Sequence, residues 1–106
     1  MAENTIIIRV KLVDSVAKVR ALIQHPMETG QRKKNTTSSE KIPAHYIREV
    51  TCQHNGQTVM TAYWSQGVSE NPYFSFKFRG AAIGDSLTIS WIDNKDDSDT
   101  QEITIK

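Results

Sequence analysis

The chain has 106 residues, enough for one domain around a single core and too few for two. It is 38% hydrophobic and 24% charged, an ordinary globular composition, and thirteen Lys and Arg against twelve Asp and Glu leave a net charge of +1, which provides no global basic field for nucleic acid. The run of three isoleucines before Arg9 is too short to span a membrane and does not read as a secretory signal, and the single cysteine, Cys52, cannot close an internal disulfide.

Residues 5–10 are a β-branched run that predicts a strand, and residues 18–24 predict a second, with Val19, Ala21 and Ile23 on one face. Between them KLVDSVA reads as a short connection, with Asp14 and Ser15 as its turn residues. The second strand must end near His25, because Pro26 has no amide to donate and holds the preceding residue extended. There His25-Pro26-Met27-Glu28-Thr29-Gly30 opens a polar, partly basic connection, GQRKKNTTSSEKIP, with no apolar period. A loop of this length in a small domain is either functional or disordered in most cases. Residues 45–54 then alternate around Ile47, Val50 and Cys52, and Asn55-Gly56 is a strong hairpin signal that pairs them with residues 57–64. After a second loop, SQGVSENP, residues 73–79 set Phe74, Phe76 and Phe78 on one face and Ser75, Lys77 and Arg79 on the other. Residues 80–84 turn the chain into 85–93, with Leu87, Ile89 and Trp91 inward. An acidic loop, DNKDDSD, precedes a last strand that contains Ile103 and Ile105. No helix and no repeat is expected.

Seven short alternating strands predict an all-β, immunoglobulin-like sandwich of antiparallel strands, one domain over residues 1–106. The phenylalanine stripe reads as core, so Phe76→Ala is expected to cost about 3 to 5 kcal/mol. If consecutive strands alternate in direction, the loops at 25–44, 65–72 and 93–99 gather at one end, and the connections 11–17, 55–56 and 80–84 at the other. Long loops on a rigid body are where binding residues concentrate, which makes the first end the place to look. The basic run Arg32-Lys33-Lys34 reads as a solvated loop able to meet Asp96, Asp97 and Asp99 at that same end.

His25, His45, Cys52 and His54 are residue types that bind iron, copper and zinc. The motifs HPM and HYI also resemble those of the superoxide reductases, non-haem iron proteins on a similar sandwich in which histidines in these two settings bind iron. In that family the motifs are almost adjacent, whereas here fourteen residues separate Met27 from Ile42, and the later Cys and His that complete the iron site have no counterpart after His54. Cys52 and His54 belong to the hairpin at the opposite end. The expectation is therefore no metal and no cofactor, with Cys52 a small buried hydrophobe rather than a reactive thiolate. No phosphate-binding glycine loop and no paired carboxylate set argues for an enzyme.

The stretches HPMETG, IPAHYIREVTCQHNGQTV, NPYFSFKF and GDSLTISWIDN, in this order and spacing, resemble the SoxZ family of the bacterial sulfur-oxidation system from the first strand to the last. The resemblance implies a non-catalytic, immunoglobulin-like subunit that forms a heterodimer with SoxY. The flexible C-terminal arm of SoxY carries thiosulfate-derived sulfur on a cysteine while other Sox enzymes dock transiently and act on it. It further implies a periplasmic setting, with export alongside a signal-bearing SoxY. An exposed sheet surface is expected to bond to SoxY, and in its absence to a second copy of the chain. His25, Met27 and Glu28 of the HPMETG loop, with Trp64, Asn71 and Tyr73, are expected to form a docking face near the arm. Cys52 lies mid-strand and is not the carrier cysteine, and QEITIK reads as strand rather than as a glycine-cysteine arm. The alternative reading is a divergent non-haem iron oxidoreductase using His25 and His45.

Overall fold

The structure is a computed structural model and describes residues 3–31 and 40–106. Its seven strands are β1 (Ile6–Val13), β2 (Val16–Ile23), β3 (Ile47–His54), β4 (Gln57–Tyr63), β5 (Tyr73–Arg79), β6 (Ser86–Asp93) and β7 (Ser98–Thr104). All pairings are antiparallel and form two sheets, ordered β1-β2-β5 and β4-β3-β6-β7, with no helix among the described residues. This is the expected β-sandwich. Its core is filled by inward residues of both sheets, among them Val19, Ala21 and Ile23 of β2, Val50 and Cys52 of β3, and Leu87, Ile89 and Trp91 of β6.

Several boundaries differ from the sequence reading, each for a local reason. The first two strands run on to Val13 and begin again at Val16, so the supposed connection KLVDSVA is mostly paired strand. Asp14 and Ser15 form a two-residue turn, both at positive φ (51° and 64°), the conformation that matches the twist of a hairpin. The odd three-residue spacing of Ile47 and Val50 arises from a bulge at Arg48, where the register with β6 shifts between Ile47 and Glu49. Strand β7 starts at Ser98, which shortens the acidic loop to residues 94–97. Asp99 is 8% exposed and accepts bonds from the Thr5 amide (2.9 Å) and hydroxyl (2.6 Å). The same hydroxyl accepts from Trp91 Nε1 at 2.9 Å, so a polar chain ties the segment before β1 to β6 and β7. Phe74, Phe76 and Phe78 do face the core, but β5 is an edge strand and all three are half-buried, which lowers the expected cost of truncating Phe76.

The two outer faces contrast in chemistry. On the β1-β2-β5 sheet the register lines up Ile7, Leu22 and Tyr73, then Arg9, Arg20 and Ser75, then Lys11, Lys18 and Lys77, then Val13, Val16 and Arg79. On the larger sheet the rows are Tyr63, Glu49, Ile92 and Ser98, then Thr61, Thr51, Ser90 and Thr100, then Thr58, Gln53, Thr88 and Glu102.

The loops meet as the strand directions require. The Asn71 amide bonds the His25 carbonyl (2.9 Å) and the Asn94 amide bonds the Tyr46 carbonyl (2.9 Å) at one end. At the other, the Gly80 amide bonds Ser15 (2.9 Å) and the Asn55 amide bonds Ser86 (3.0 Å). The basic run Arg32-Lys33-Lys34, with most of the long loop, lies outside the described residues.

Candidate functional site

At the loop end, β2 delivers His25, the approach to β3 delivers His45, and β6 ends in Asp93. β2 ends at Ile23, Pro26 keeps His25 extended just beyond it, and Met27 then takes a positive φ of 49°, which turns its amide back onto the histidine ring. The His25 backbone is held from both sides by Asn71, whose Oδ1 accepts the His25 amide (3.0 Å) and whose amide reaches the His25 carbonyl (2.9 Å). The His25 ring stands edge-on to Trp91 (centroids 5.2 Å) and to His45 (4.6 Å). Residues 44–46 are fixed by Asn94, which accepts from the Tyr46 amide (2.8 Å) and donates to the Ala44 carbonyl (2.9 Å), and by the paired backbone bonds between Glu28 and His45 (2.6 and 3.0 Å).

Four groups converge on the Asp93 carboxylate, which is fully buried. Its Oδ2 accepts from His25 Nε2 (3.0 Å) and His45 Nε2 (2.7 Å), and its Oδ1 accepts from the Lys95 and Asp97 amides (both 2.9 Å). Burial alone would raise the Asp93 carboxyl, but the bonds from His25, the Asp97 amide, His45 and the Lys95 amide more than offset it and hold the group below its ordinary range. Burial pushes His25 down from its ordinary value and nearby His45 pushes it further, against the bond to Asp93. The result is an ionised carboxylate beside a neutral His25 imidazole.

Ligating atoms of His25, His45 and Asp93, one from each, lie within 4.8 Å of one another, a set that invites a metal ion. The hydrogen bonding of His25 does not fit one. His25 Nδ1 accepts the Met27 amide at 3.0 Å, so the neutral ring carries its proton on Nε2. An ion bound at Nε2 would move that proton to Nδ1, where it would point at the Met27 N–H, donor against donor. Met27 is not free to turn away, since its own Sδ accepts the Ile47 amide (3.3 Å) and Glu28 beside it is paired with His45. The cluster acts as a clamp that fastens the HPMETG segment, residues 44–46 and the β6–β7 turn to one carboxylate.

His54 stands apart from this group at the opposite end. Its Nε2 lies 2.7 Å from Asp85 Oδ2 and its ring packs on Phe78 at 4.9 Å. Cys52 is fully buried in β3, and burial pushes its thiol up to about 12, so it has no thiolate with which to act as a nucleophile.

The six residues expected to form a docking face separate into interior and surface groups. His25 and Met27 are each 4% exposed, and Met27 reaches the surface only where it lines the groove at Glu28. Trp64 is half-buried with its ring edge-on to Phe74 at 5.5 Å, and Asn71 is exposed but spends its Oδ1 and amide on His25. Half-buried Glu28 lines a shallow groove with Pro26, Thr29 and Glu70. Tyr73 is 62% exposed and points out from β5. Two structural residues, Asp93 and Asn94, were missed. Asp93 occupies the next inward position after Leu87, Ile89 and Trp91, so period-two counting carried the signal for a buried carboxylate.

Known structures share this fold at low identity. A hypothetical protein from Pyrococcus horikoshii aligns with a TM-score of 0.70 at 14% identity, covering 97% of this chain and 88% of its own. A superoxide reductase in the oxidised state aligns at 0.67 and 16% identity, covering 96% and 87%. The superoxide reductase (neelaredoxin) of Archaeoglobus fulgidus, in a reduced mutant form, aligns at 0.59 and 18% identity, covering 96% and 89%. At these identities the likeness is one of fold alone. No curated protein matches the chain. The sequence itself matches the family described as sulphur oxidation protein SoxZ over residues 8–104, so the chain belongs to the SoxZ family.

Proposed function

We propose that the chain is the non-catalytic subunit of a sulfur-compound carrier complex. It binds a SoxY-like subunit whose C-terminal cysteine carries thiosulfate-derived sulfur, and it helps present that cysteine to the enzymes of the system. The observation that carries this reading is the family match across nearly the whole chain. The structure supports it with a rigid body and two kinds of surface. The outer face of β4-β3-β6-β7 is mostly short hydroxyl and amide side chains, with Glu49 and Glu102 the only charges in its rows. Such a face avoids the cost of desolvating many charges, and its hydroxyls and amides can be met by hydrogen bonds from a lasting partner. The loop end, with exposed Tyr73 and the groove at Glu28, suits enzymes that dock and leave. The complex works in the periplasm, exported through the signal of the partner, and without that partner the hydroxyl face pairs with a second copy.

Co-expression with a SoxY-like chain, followed by size-exclusion chromatography and mass determination, tests the reading. The expected result is a one-to-one complex that takes up sulfur from thiosulfate on the partner's terminal cysteine and leaves Cys52 unmodified. Tyr73→Ala should slow turnover by the partner enzymes while the heterodimer stays intact. A chain that remains apart from the partner under all conditions would remove the subunit reading.

A further inference from the structure

We infer that the outer face of β1-β2-β5 is a docking surface for a protein that presents clustered carboxylates. Six of the chain's thirteen Lys and Arg stand on this one face, all exposed, leaving seven cations against twelve acids everywhere else. A net charge of +1 thus conceals a strongly segregated distribution. Residues directly opposite on neighbouring strands lie about 5 Å apart, and successive residues on the same face about 7 Å apart. Lys18, on the central strand, has Lys11 opposite it on one side and Lys77 on the other, and Arg9 is opposite Arg20. Like charges in direct register destabilise a sheet. None of the six has an ion pair or a side-chain hydrogen bond among the described residues, and Asp14, which lines the same groove as Lys11, Lys18 and Lys77, is ion-paired with none of them, so the described residues offset little of this cost. A local rule broken with little internal compensation is the mark of a surface shaped by something outside the chain.

The neighbours of the basic rows favour a protein as that partner. The row nearest the loop end is Ile7, Leu22 and Tyr73, with Ile7 44% and Tyr73 62% exposed. An apolar anchor with a tyrosine, flanked by arginines, matches the make-up of interface centres, where water is excluded beside charge-assisted bonds. A nucleic acid strand would need bases stacked on aromatic platforms, and the face has the single ring of Tyr73. An anionic membrane would need a broad apolar set inserted below its headgroups, and here the exposed large apolar residues are Ile7 and Tyr73 in one row and Val13 at the far end, with the basic rows between them. The inference rests on charge and register alone and stands whether or not the chain is a carrier subunit.

Binding of a fluorescent polyglutamate peptide to the full chain, followed by anisotropy, tests it. We expect binding at low ionic strength that is lost near about 0.5 M salt. Combining Lys18→Glu with Lys77→Glu should weaken it by about tenfold or more. Lys18→Gln with Lys77→Gln, which removes charge without reversing it, should weaken it by a smaller factor in the same direction. Because Lys18→Glu alone sets a carboxylate between Lys11 and Lys77, that singly substituted chain should also melt a few degrees higher, about 2 to 6 °C. Undiminished peptide binding in both variants would overturn the inference. So would tighter binding of duplex DNA, or of phosphatidylglycerol vesicles, than of polyglutamate at the same salt.

Discussion

Asp93 is the residue on which most of the loop end depends. It holds two rings and two amides on a carboxylate with no access to water, and no buried side-chain nitrogen or oxygen among the described residues lacks a partner. Asp93→Ala would strand the Nε2 protons of both histidines and two amides at once. We expect it to cost about 3 to 5 kcal/mol, read as a shift in the midpoint of urea unfolding. The histidines were legible in the sequence as ligand-type residues, and their setting resembles that of an iron protein. The third member was not, because it lies 68 residues from His25 and 48 from His45, and such contacts follow from sheet order rather than from any local pattern. What decides between ligand and clamp is finer still: the Met27 amide aimed at Nδ1, set by one positive φ after a proline.

Among the elements, strands with clean alternation were readable, and at the turn that lacks glycine the residues were readable but the length of the connection was not. Asn55-Gly56 announced its hairpin, and both residues have positive φ (48° and 84°). Asp14-Ser15 adopts the same conformation with side chains that oppose it, which is why residues 11–17 read as a looser connection. Replacing the pair by Asn-Gly (Asp14→Asn, Ser15→Gly) should therefore stabilise the fold by about 0.5 to 1 kcal/mol, measured by thermal or denaturant unfolding. The phenylalanine stripe shows the opposite limit: period two identifies which face is inward, but not how much the facing sheet covers it. Phe76, on an edge strand and half-buried, should cost about 2 kcal/mol on truncation to alanine, whereas fully buried Ile89 should cost about 3 to 5. Equal losses at the two positions would mean that the sheets close over β5 in solution.

For the whole molecule below about pH 8 the shifted groups act in one direction, Cys52 being pushed up and mattering only in alkali. His25 is held below its ordinary value of 6.5. Asp85, through its bond from His54, and Asp93 and Asp99, through bonds that outweigh burial, are held below their ordinary 3.8. Each group therefore binds protons more readily in the unfolded chain than in the folded one. Stability is full above pH 6.5 and falls on acidification, first as the unfolded His25 takes up its proton and again below about pH 3.8 as the carboxylates do. Unfolding midpoints measured from pH 8 downward should show this two-stage decline; a rise between pH 6.5 and 5 would contradict the neutral state of His25.

The same scale gives the two outer faces a joint meaning. Six cations on one side of the sandwich, with Glu49 and Glu102 the only charges in the rows of the other, give the chain an electric dipole across its thickness. A small body with such a moment is turned by the field of an acidic neighbour while still several water layers away. It arrives with β1-β2-β5 leading and the hydroxyl face trailing, so a companion seated on the hydroxyl face would be carried in on the far side and kept clear of the contact.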